Sequence, residues 1–294
     1  MNRIHYIDNL KTGLNNPLRF ILTLIIVSLA IYLGSIPLRL QSLDSFLSSN
    51  PLFFFTALLI PFIFGLTALI YSFRFIHDLS SKQLILPIGE TKLDYKRFVF
   101  SFILWIFILL VLELIAYLFD KGNYRYQVPD IKFLKLVILG FLLLPIQTSF
   151  EELLIRSYLT QQINFFSRNI ILAIFSSSLV FAFMHINNPE TGRFGFGLML
   201  IYYLIAGLFL SIIAYKDNRL ELSLGVHAAN NIFGAIIVNY EGSVFKTAAL
   251  FTTVKINILL SLFSFCIASC IFYLICYYKF DWKVNSSNVG KLIE

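Results

Sequence analysis

The stretch Phe133–Gln162, FLKLVILGFLLLPIQTSFEELLIRSYLTQQ, indicates both the fold class and a candidate site. It is long and apolar enough to cross a hydrocarbon core of about 30 Å. Its second half nevertheless carries Glu151, Glu152 and Arg156. Ionisable side chains inside lipid are costly unless they are paired or face a wet cavity, so such positions are functional candidates. The stretch therefore predicts a transmembrane helix that contributes to a site.

The whole chain has the composition of a membrane protein. Of its 294 residues, 58% are hydrophobic and only 13% are charged, which excludes an ordinary soluble domain. We predict an all-α polytopic membrane protein with about eight transmembrane helices. The other predicted spans are Phe20–Leu38, Leu52–Phe73, Phe98–Phe119, Asn169–His185, Phe194–Tyr215, Leu220–Tyr240 and Ile256–Tyr278.

The basic residues predict the orientation of the chain. With the amino terminus inside, about fifteen of the 23 Lys and Arg residues lie in inside segments. We therefore expect a multi-pass protein of the plasma or inner membrane with cytoplasmic amino and carboxyl termini. The polar amino terminus does not resemble a signal peptide, so no removal is expected. The net charge of +7 is spread over short loops, which fits topology and anionic lipid rather than a nucleic-acid partner.

The chain is predicted to consist of three parts. Residues 1–132 hold three transmembrane helices with an interfacial segment at 77–97, and residues 133–240 form the core. Residues 241–294 hold the last transmembrane helix and a polar cytoplasmic tail, which begins at Asp281 and is expected to be loose. The cysteines of the last span, Cys266, Cys270 and Cys276, are interpreted as small packing residues.

Helical spacing groups the charged residues of the fourth span. Glu152 and Arg156 are four residues apart and share a helix face, so they can pair and lower the cost of burying both. Glu151 projects about 100° away, which leaves its carboxylate free for chemistry. An alternative is that all three form an ion cluster near the headgroups.

Two later spans carry further polar candidates. His185 closes the fifth span four residues after Phe181, which can pack beneath its ring, and an interfacial role is the alternative. His227 and Asn231 are four apart in the seventh span, where hydrogen bonding between helices is the alternative. Counted at 1.5 Å per residue from the predicted span ends, Glu151 and these residues lie at similar depths, roughly 14 to 25 Å. One polar layer near mid-membrane is therefore predicted.

Other residues of the spans are interpreted as structural. Pro145 is expected to kink the fourth span beside the carboxylates. Gly207 and Ser211 are expected to let the sixth span approach a neighbour closely. Glu113, near the outer end of the third span, is expected to pair with a polar loop group.

Three motifs in register resemble the signature of a known family. These motifs are Glu151-Glu152-x-x-x-Arg156, Phe181-x-x-x-His185 and His227-x-x-x-Asn231. Their order on successive hydrophobic segments is similar to that of the CPBP family, also called Abi proteins. This family comprises CAAX proteases and bacteriocin-processing enzymes, and it includes the type II CAAX prenyl endopeptidases. The resemblance covers about residues 133–240.

The resemblance implies an intramembrane endopeptidase with a conical active-site cavity formed by several helices. It implies that Glu151 is the catalytic glutamate and that Glu152 and Arg156 are its supporting pair. His185, His227 and Asn231 match the remaining motif positions. The implied partners are the lipid bilayer and a membrane-associated peptide or protein substrate, either prenylated or of the bacteriocin type.

Two mechanisms can be written for these residues. In the favoured one, which needs no cofactor, Glu151 and His185 activate a water while His227 and Asn231 stabilise the oxyanion. In the other, Glu151, His185 and His227 hold Zn²⁺ with a water in the open position, although the chain has no HExxH pair. A non-catalytic membrane protein, such as a bacteriocin self-immunity factor, is the alternative function. A proton-coupled transporter is disfavoured because inverted halves with interrupted spans are not evident.

Overall fold

The structure is a computed structural model that describes residues 5–40 and 50–282. Its regular structure is mainly helical. The α-helices are α1 Pro17–Gly34, α2 Ile36–Arg39, α3 Pro51–Phe75, α4 Tyr95–Phe119, α5 Ile131–Glu152, α6 Thr160–Ser167, α7 Ile170–Met184, α8 Pro189–Phe194, α9 Phe196–Asp217, α10 Glu221–Ile232 and α11 Ile258–Lys279.

The predicted all-α membrane fold is confirmed. Six helical segments among the described residues are long and apolar enough to cross a membrane: α1, α3, α4, the continuous α5–α6 segment, α9 and α11. The other two predicted spans are shorter: α7 has 15 residues, and α10 has 12 and continues as a π-helical turn, Phe233–Ile237. These two shorter elements carry or adjoin His185, His227 and Asn231.

Side-chain caps define where several helices begin. An unpaired amide at a helix start is costly in lipid, and a short polar side chain can accept a hydrogen bond from it. The side chains of Asn16, Asp94, Asp130, Asn169 and Asn257 accept such bonds at the starts of α1, α4, α5, α7 and α11.

A π-helical turn joins α5 to α6. It spans Leu153–Leu159, and all seven of its residues are buried. The α-helix continues through Pro145, so the change of helix type comes two turns after the proline and directly after the paired glutamates. Such π turns widen a helix locally and are frequent at functional sites. Here the turn places Arg156 within the protein interior.

Small residues bring the core helices close together. A Cβ on Gly225 of α10 would lie 2.0 Å from Ser101 Oγ and 2.5 Å from the Phe98 carbonyl oxygen of α4. Gly207 packs against Ser178 of α7, and the Ser178 and Ser211 hydroxyls are 3.2 Å apart. The predicted close approach of the sixth span to a neighbour is therefore confirmed.

A short 3₁₀ helix, Tyr6–Lys11, covers one end of the bundle; we call it the N-terminal segment. Its Tyr6 is buried, and the Asn9 amide donates to the carbonyl oxygens of Gln83 and Leu86 at 2.7 and 2.8 Å. The predicted interfacial segment 77–97 thus folds against the N-terminal segment. This burial was not predicted from the sequence, although Tyr6, Ile7 and Leu10 of the segment are apolar and buried.

A small sheet covers the opposite end. Its strands are β1 Tyr124–Tyr126, β2 Val238–Tyr240 and β3 Phe251–Thr253, in the order β1-β3-β2. Strand β3 pairs antiparallel with β1 and parallel with β2. Helix α5 begins just after β1, whereas Asn164 near the end of α6 donates to Asp8 of the N-terminal segment at 3.2 Å. The sheet and the N-terminal segment therefore mark the two ends of the long α5–α6 helix.

The first part of the predicted loose tail is packed against the protein. Trp282 is 1% exposed and its indole donates to Asp217 Oδ1 at 3.3 Å, so the chain is packed up to this residue. Residues 283–294 of the predicted loose tail lie outside the described residues. Cys276 is buried and unpaired, in agreement with a packing role.

Candidate active site

A buried ion pair forms the base of the candidate site. Arg156 Nη1 lies 3.1 Å from Glu152 Oε1, and both side chains are fully buried. The guanidinium also lies 4.1 Å from the ring centroid of Phe181 on α7. Because an isolated buried charge is very costly, the carboxylate and the aromatic face together make the burial of Arg156 possible. The predicted pairing of Glu152 with Arg156 is confirmed.

His227 connects the two glutamates. Its Nδ1 lies 2.7 Å from Glu152 Oε1, and its Nε2 lies 3.4 Å from Glu151 Oε2. When the imidazole is protonated, the formal charges of Glu151, Glu152, Arg156 and His227 sum to zero. A neutral cluster of this kind is far less costly in a buried, low-dielectric setting than one with a net charge.

Gln147 completes the environment of Glu151. Its amide nitrogen donates to Glu151 Oε1 at 2.5 Å, and its carbonyl oxygen accepts from Asn231 Nδ2 at 2.9 Å. Sequence reasoning missed this residue. The available signal was its position one helical turn before Glu151 on the same face of an apolar span. Gln147 therefore holds the carboxylate of α5 and the amide of α10 in fixed positions.

One oxygen of Glu151 remains without a hydrogen-bond donor. Glu151 is 4% exposed, and its Oε2 accepts no hydrogen bond from the described protein groups. A buried carboxylate oxygen of this kind is costly to leave unsatisfied and is suited to bind a polar reactant. The atom lies on the side of Glu151 that faces His227.

His185 occupies a neighbouring position. It caps the end of α7, and its Nδ1 is 2.8 Å from the Phe181 carbonyl oxygen. Its ring lies 4.4 Å from the Phe181 ring and 4.6 Å from the Tyr203 ring, measured between centroids. The predicted packing on Phe181 is confirmed.

The structure places His227, rather than His185, as the imidazole beside Glu151. Among the described residues no hydrogen bond or ion pair joins His185 to Glu151, and His227 is the imidazole beside it. The physical reason is that His185 turns back to the last turn of its own helix. The rings of His185 and His227 both contact the ring of Phe181, so Phe181 links the two histidines.

The described residues do not fit the proposed zinc site. Within residues 5–40 and 50–282 no group of three or more His, Cys, Asp or Glu side chains is arranged to hold a metal ion. His227 directs one nitrogen to each glutamate, whereas His185 is held by a backbone carbonyl. We therefore derive no step through a metal from Glu151, His185 and His227.

Glu113 has the expected partner. The Tyr124 hydroxyl, on β1, donates to Glu113 Oε1 at 2.5 Å, which confirms the predicted pairing with a polar loop group. Glu113 and Tyr124 also line a cavity of about 330 Å³ beneath the sheet. This cavity reaches Tyr203 and Asn230, which are neighbours of the candidate site.

Part of the chain that contains the candidate site matches the model of a known protein family. Residues 132–233 match the family model described as type II CAAX prenyl endopeptidase Rce1-like. The match includes all six predicted site residues and confirms the CAAX-endopeptidase resemblance for this part of the chain. At the family level the match points to a protease, and the six apolar helices point to a multi-pass membrane protein.

One curated relative extends the similarity beyond this region. The chain is 29% identical over 217 residues to the uncharacterized protein YyaK of Bacillus subtilis (strain 168), and the alignment covers 73% of this chain and 72% of the relative. No solved structure matches the chain.

Proposed function

We propose, on the basis of the Rce1-like region at residues 132–233, that this protein is an intramembrane endopeptidase that hydrolyses a peptide bond of a membrane-associated substrate. The observation that carries the proposal is the setting of Glu151. Its carboxylate is buried, fixed on one side by Gln147 and flanked by His227, with Oε2 free of protein donors. This setting matches the requirements of a general base that binds one water.

In the first step, the water bound at Glu151 Oε2 attacks the carbonyl carbon of the scissile bond. The water proton passes to Glu151, a carbon–oxygen bond forms, and the carbonyl oxygen becomes an oxyanion. His227 in its protonated form and the Asn231 amide are the donors nearest to the site where that charge develops. Fixed donors of this kind supply a large part of the stabilisation in acyl transfer.

In the second step, the carbon–nitrogen bond breaks and the leaving amine takes the proton from Glu151. The products are a carboxylic acid and an amine, and transfer of the acid proton to the amine gives a carboxylate and an ammonium ion. The overall reaction therefore consumes one water and needs no oxidant or reductant. Glu152 accepts a hydrogen bond from His227 throughout and fixes the orientation of the imidazole. Arg156 balances the charge of Glu152 and remains away from the reacting atoms.

His185 and Tyr203 belong to the wall of the site. Their stacked rings lie next to the cavity beneath the sheet, which suits them to contact the substrate rather than to take up the water proton. The substrate class that we propose is a hydrophobic or lipid-modified peptide, because the site is enclosed by apolar helices.

The test is the isosteric substitution Glu151→Gln. It should leave folding intact, since the amide keeps the shape of the carboxylate, and it should lower cleavage by roughly a hundredfold or more because the base is lost. The inactive protein is then purified with its bound substrates, which mass spectrometry identifies. Glu241→Gln is the matched control, because Glu241 is an exposed glutamate outside the site.

Two outcomes would contradict the proposal. Full cleavage of the identified substrates by the Glu151→Gln protein would remove Glu151 from the mechanism. A biological phenotype that is fully retained by both Glu151→Gln and His185→Ala proteins would instead support a non-catalytic role such as self-immunity.

A further inference from the structure

The cavity beneath the sheet is a second feature of the candidate site. We call it the sheet-side cavity; it has a volume of about 330 Å³ and is bounded by α4, α9, α10, α11 and the strands. Its volume is sufficient for a side chain or a short peptide segment. Its polar lining includes Glu113, Tyr124, Tyr203, Asn230, Tyr240 and Lys255.

Two lining residues connect the sheet-side cavity to the proposed catalytic groups. Tyr203 stacks on His185 with the ring centroids 4.6 Å apart and the planes inclined by 30°. Asn230 donates to Asn231 Oδ1 at 3.4 Å. The cavity is therefore separated from the candidate site by a single layer of side chains.

Two carboxylates lie in or directly behind the wall of the sheet-side cavity. Glu113 lines it directly and uses one oxygen to accept the Tyr124 hydroxyl. Glu190 lies one hydrogen bond behind the wall, where its Oε1 accepts the Tyr240 hydroxyl at 2.8 Å. Glu190 is 3% exposed, and its Oε2 has no donor among the described residues.

The tyrosines do not neutralise these carboxylates. Burial and the neighbouring Glu113 raise the pKa of Tyr124, and burial and Glu190 raise the pKa of Tyr240. Both hydroxyls therefore remain protonated and donate hydrogen bonds to Glu113 and Glu190. Lys255 is the basic residue of the lining, and its side chain is exposed to solvent. Among the described residues no ion pair joins Lys255 to Glu113.

We propose that the sheet-side cavity binds a positively charged side chain, lysine or arginine, of a substrate residue close to the scissile bond. This inference rests on the proposed protease function and adds a specificity determinant to it. The ammonium or guanidinium group would contact the free oxygen of Glu113, while the aliphatic stem would lie against the apolar part of the lining. Because the carboxylate is partly shielded from solvent, the cation should be favoured over a neutral isostere by roughly tenfold or more.

The experiment uses the full-length protein in detergent micelles. Internally quenched apolar decapeptides carry lysine, norleucine or glutamate at one position, which is scanned across the peptide. The kcat/KM ratio of lysine to norleucine is measured for the wild type, for Glu113→Gln and for Glu241→Gln. The last variant is the matched control, because Glu241 is an exposed carboxylate at the same end of the bundle and does not line the cavity.

A lysine preference of roughly tenfold in the wild type that falls towards one in Glu113→Gln, but not in Glu241→Gln, supports the inference. If Glu113→Gln does not fold, the lysine-to-norleucine ratio of the wild type is measured at two salt concentrations instead. A preference due to charge must shrink when salt is raised from about 0.05 to about 0.5 M. Cleavage without any lysine preference overturns the inference and leaves the protease proposal standing.

A binding measurement separates the two proposals if no peptide is cleaved. Unlabelled lysine and norleucine peptides are titrated into the Glu151→Gln protein, and tryptophan fluorescence is followed. Trp105 is a local reporter because its indole donates to Asn230 at 3.4 Å. The cavity inference is supported if the lysine peptide binds more tightly and this difference is lost in a Glu113→Gln/Glu151→Gln double variant. That result would not support the protease proposal. Equal binding of both peptides, or none, overturns it.

Discussion

The buried pair of Glu152 and Arg156 allows a quantitative test of the site's construction. Glu152→Gln leaves a fully buried guanidinium whose remaining partners are the ring of Phe181 and the more distant Glu151 carboxylate. Removal of one member of a buried ion pair costs about 3–5 kcal/mol of unfolding free energy, and the cation–π contact offsets about 1–2 kcal/mol. We therefore expect Glu152→Gln to destabilise the protein by about 2–4 kcal/mol.

The reverse change removes the cation. Arg156→Met leaves the Glu152 carboxylate with one hydrogen bond from His227, so we expect a loss of about 3–5 kcal/mol. The double variant Glu152→Gln/Arg156→Met leaves no unpaired charge and should return to within about 1–2 kcal/mol of the wild type. It should nevertheless be inactive, because His227 has lost the carboxylate that orients it.

The assay is reversible unfolding by sodium dodecyl sulfate in mixed micelles, followed by circular dichroism, combined with peptide cleavage. The matched control is the same cycle on Arg125 and Glu241, which pair at 3.3 Å on the surface and should couple by less than about 1 kcal/mol. If both single variants at Glu152 and Arg156 lose less than about 1 kcal/mol, the pair does not stabilise the site as we argue. An active double variant would refute the orienting role of Glu152.

Three further predictions concern Gln147, zinc and the pH dependence of stability. Gln147→Leu should fold but lose roughly ten- to a hundredfold in kcat, because Glu151 and Asn231 lose their shared partner; unchanged kcat would remove Gln147 from the site. A zinc chelator should leave peptide cleavage unchanged, whereas loss of activity that stoichiometric zinc restores would establish the metal-dependent mechanism. Burial lowers the pKa of His77 below its usual 6.5, so stability should be constant above neutral pH and decline as pH falls below about 6.5. His77→Gln should reduce this decline in pH-dependent unfolding, although His5, whose pKa burial also lowers, will keep part of it.

The predictable part of the molecule depends on helical periodicity. The Glu152–Arg156 pair, the stacking of His185 on Phe181 and the shared face of His227 and Asn231 all follow from spacings of four residues. These contacts are local, so sequence alone could specify them.

The features that were missed depend on contacts distant in sequence. Which imidazole reaches Glu151 is decided by the packing of α10 against α5, and no spacing within one helix encodes it. The three-residue strands are too short for an alternating pattern, and a π turn has the same composition as an α-helix. The N-terminal segment is short and lies in a polar terminus, and its burial depends on partners such as Gln83 and Asn218 far along the chain.

The position of the N-terminal segment has a consequence for biosynthesis. The amide of Tyr6 donates to the side chain of Asn218 at 2.8 Å, although 212 residues separate them, and the Tyr6 hydroxyl donates to the Arg156 carbonyl oxygen at 3.3 Å. Because a ribosome makes residue 6 long before residue 218, the segment must stay undocked while the helices between them are made. Its docking is thus a late step of assembly, and a protease sensitive to the undocked segment would report how many nascent chains have completed their core.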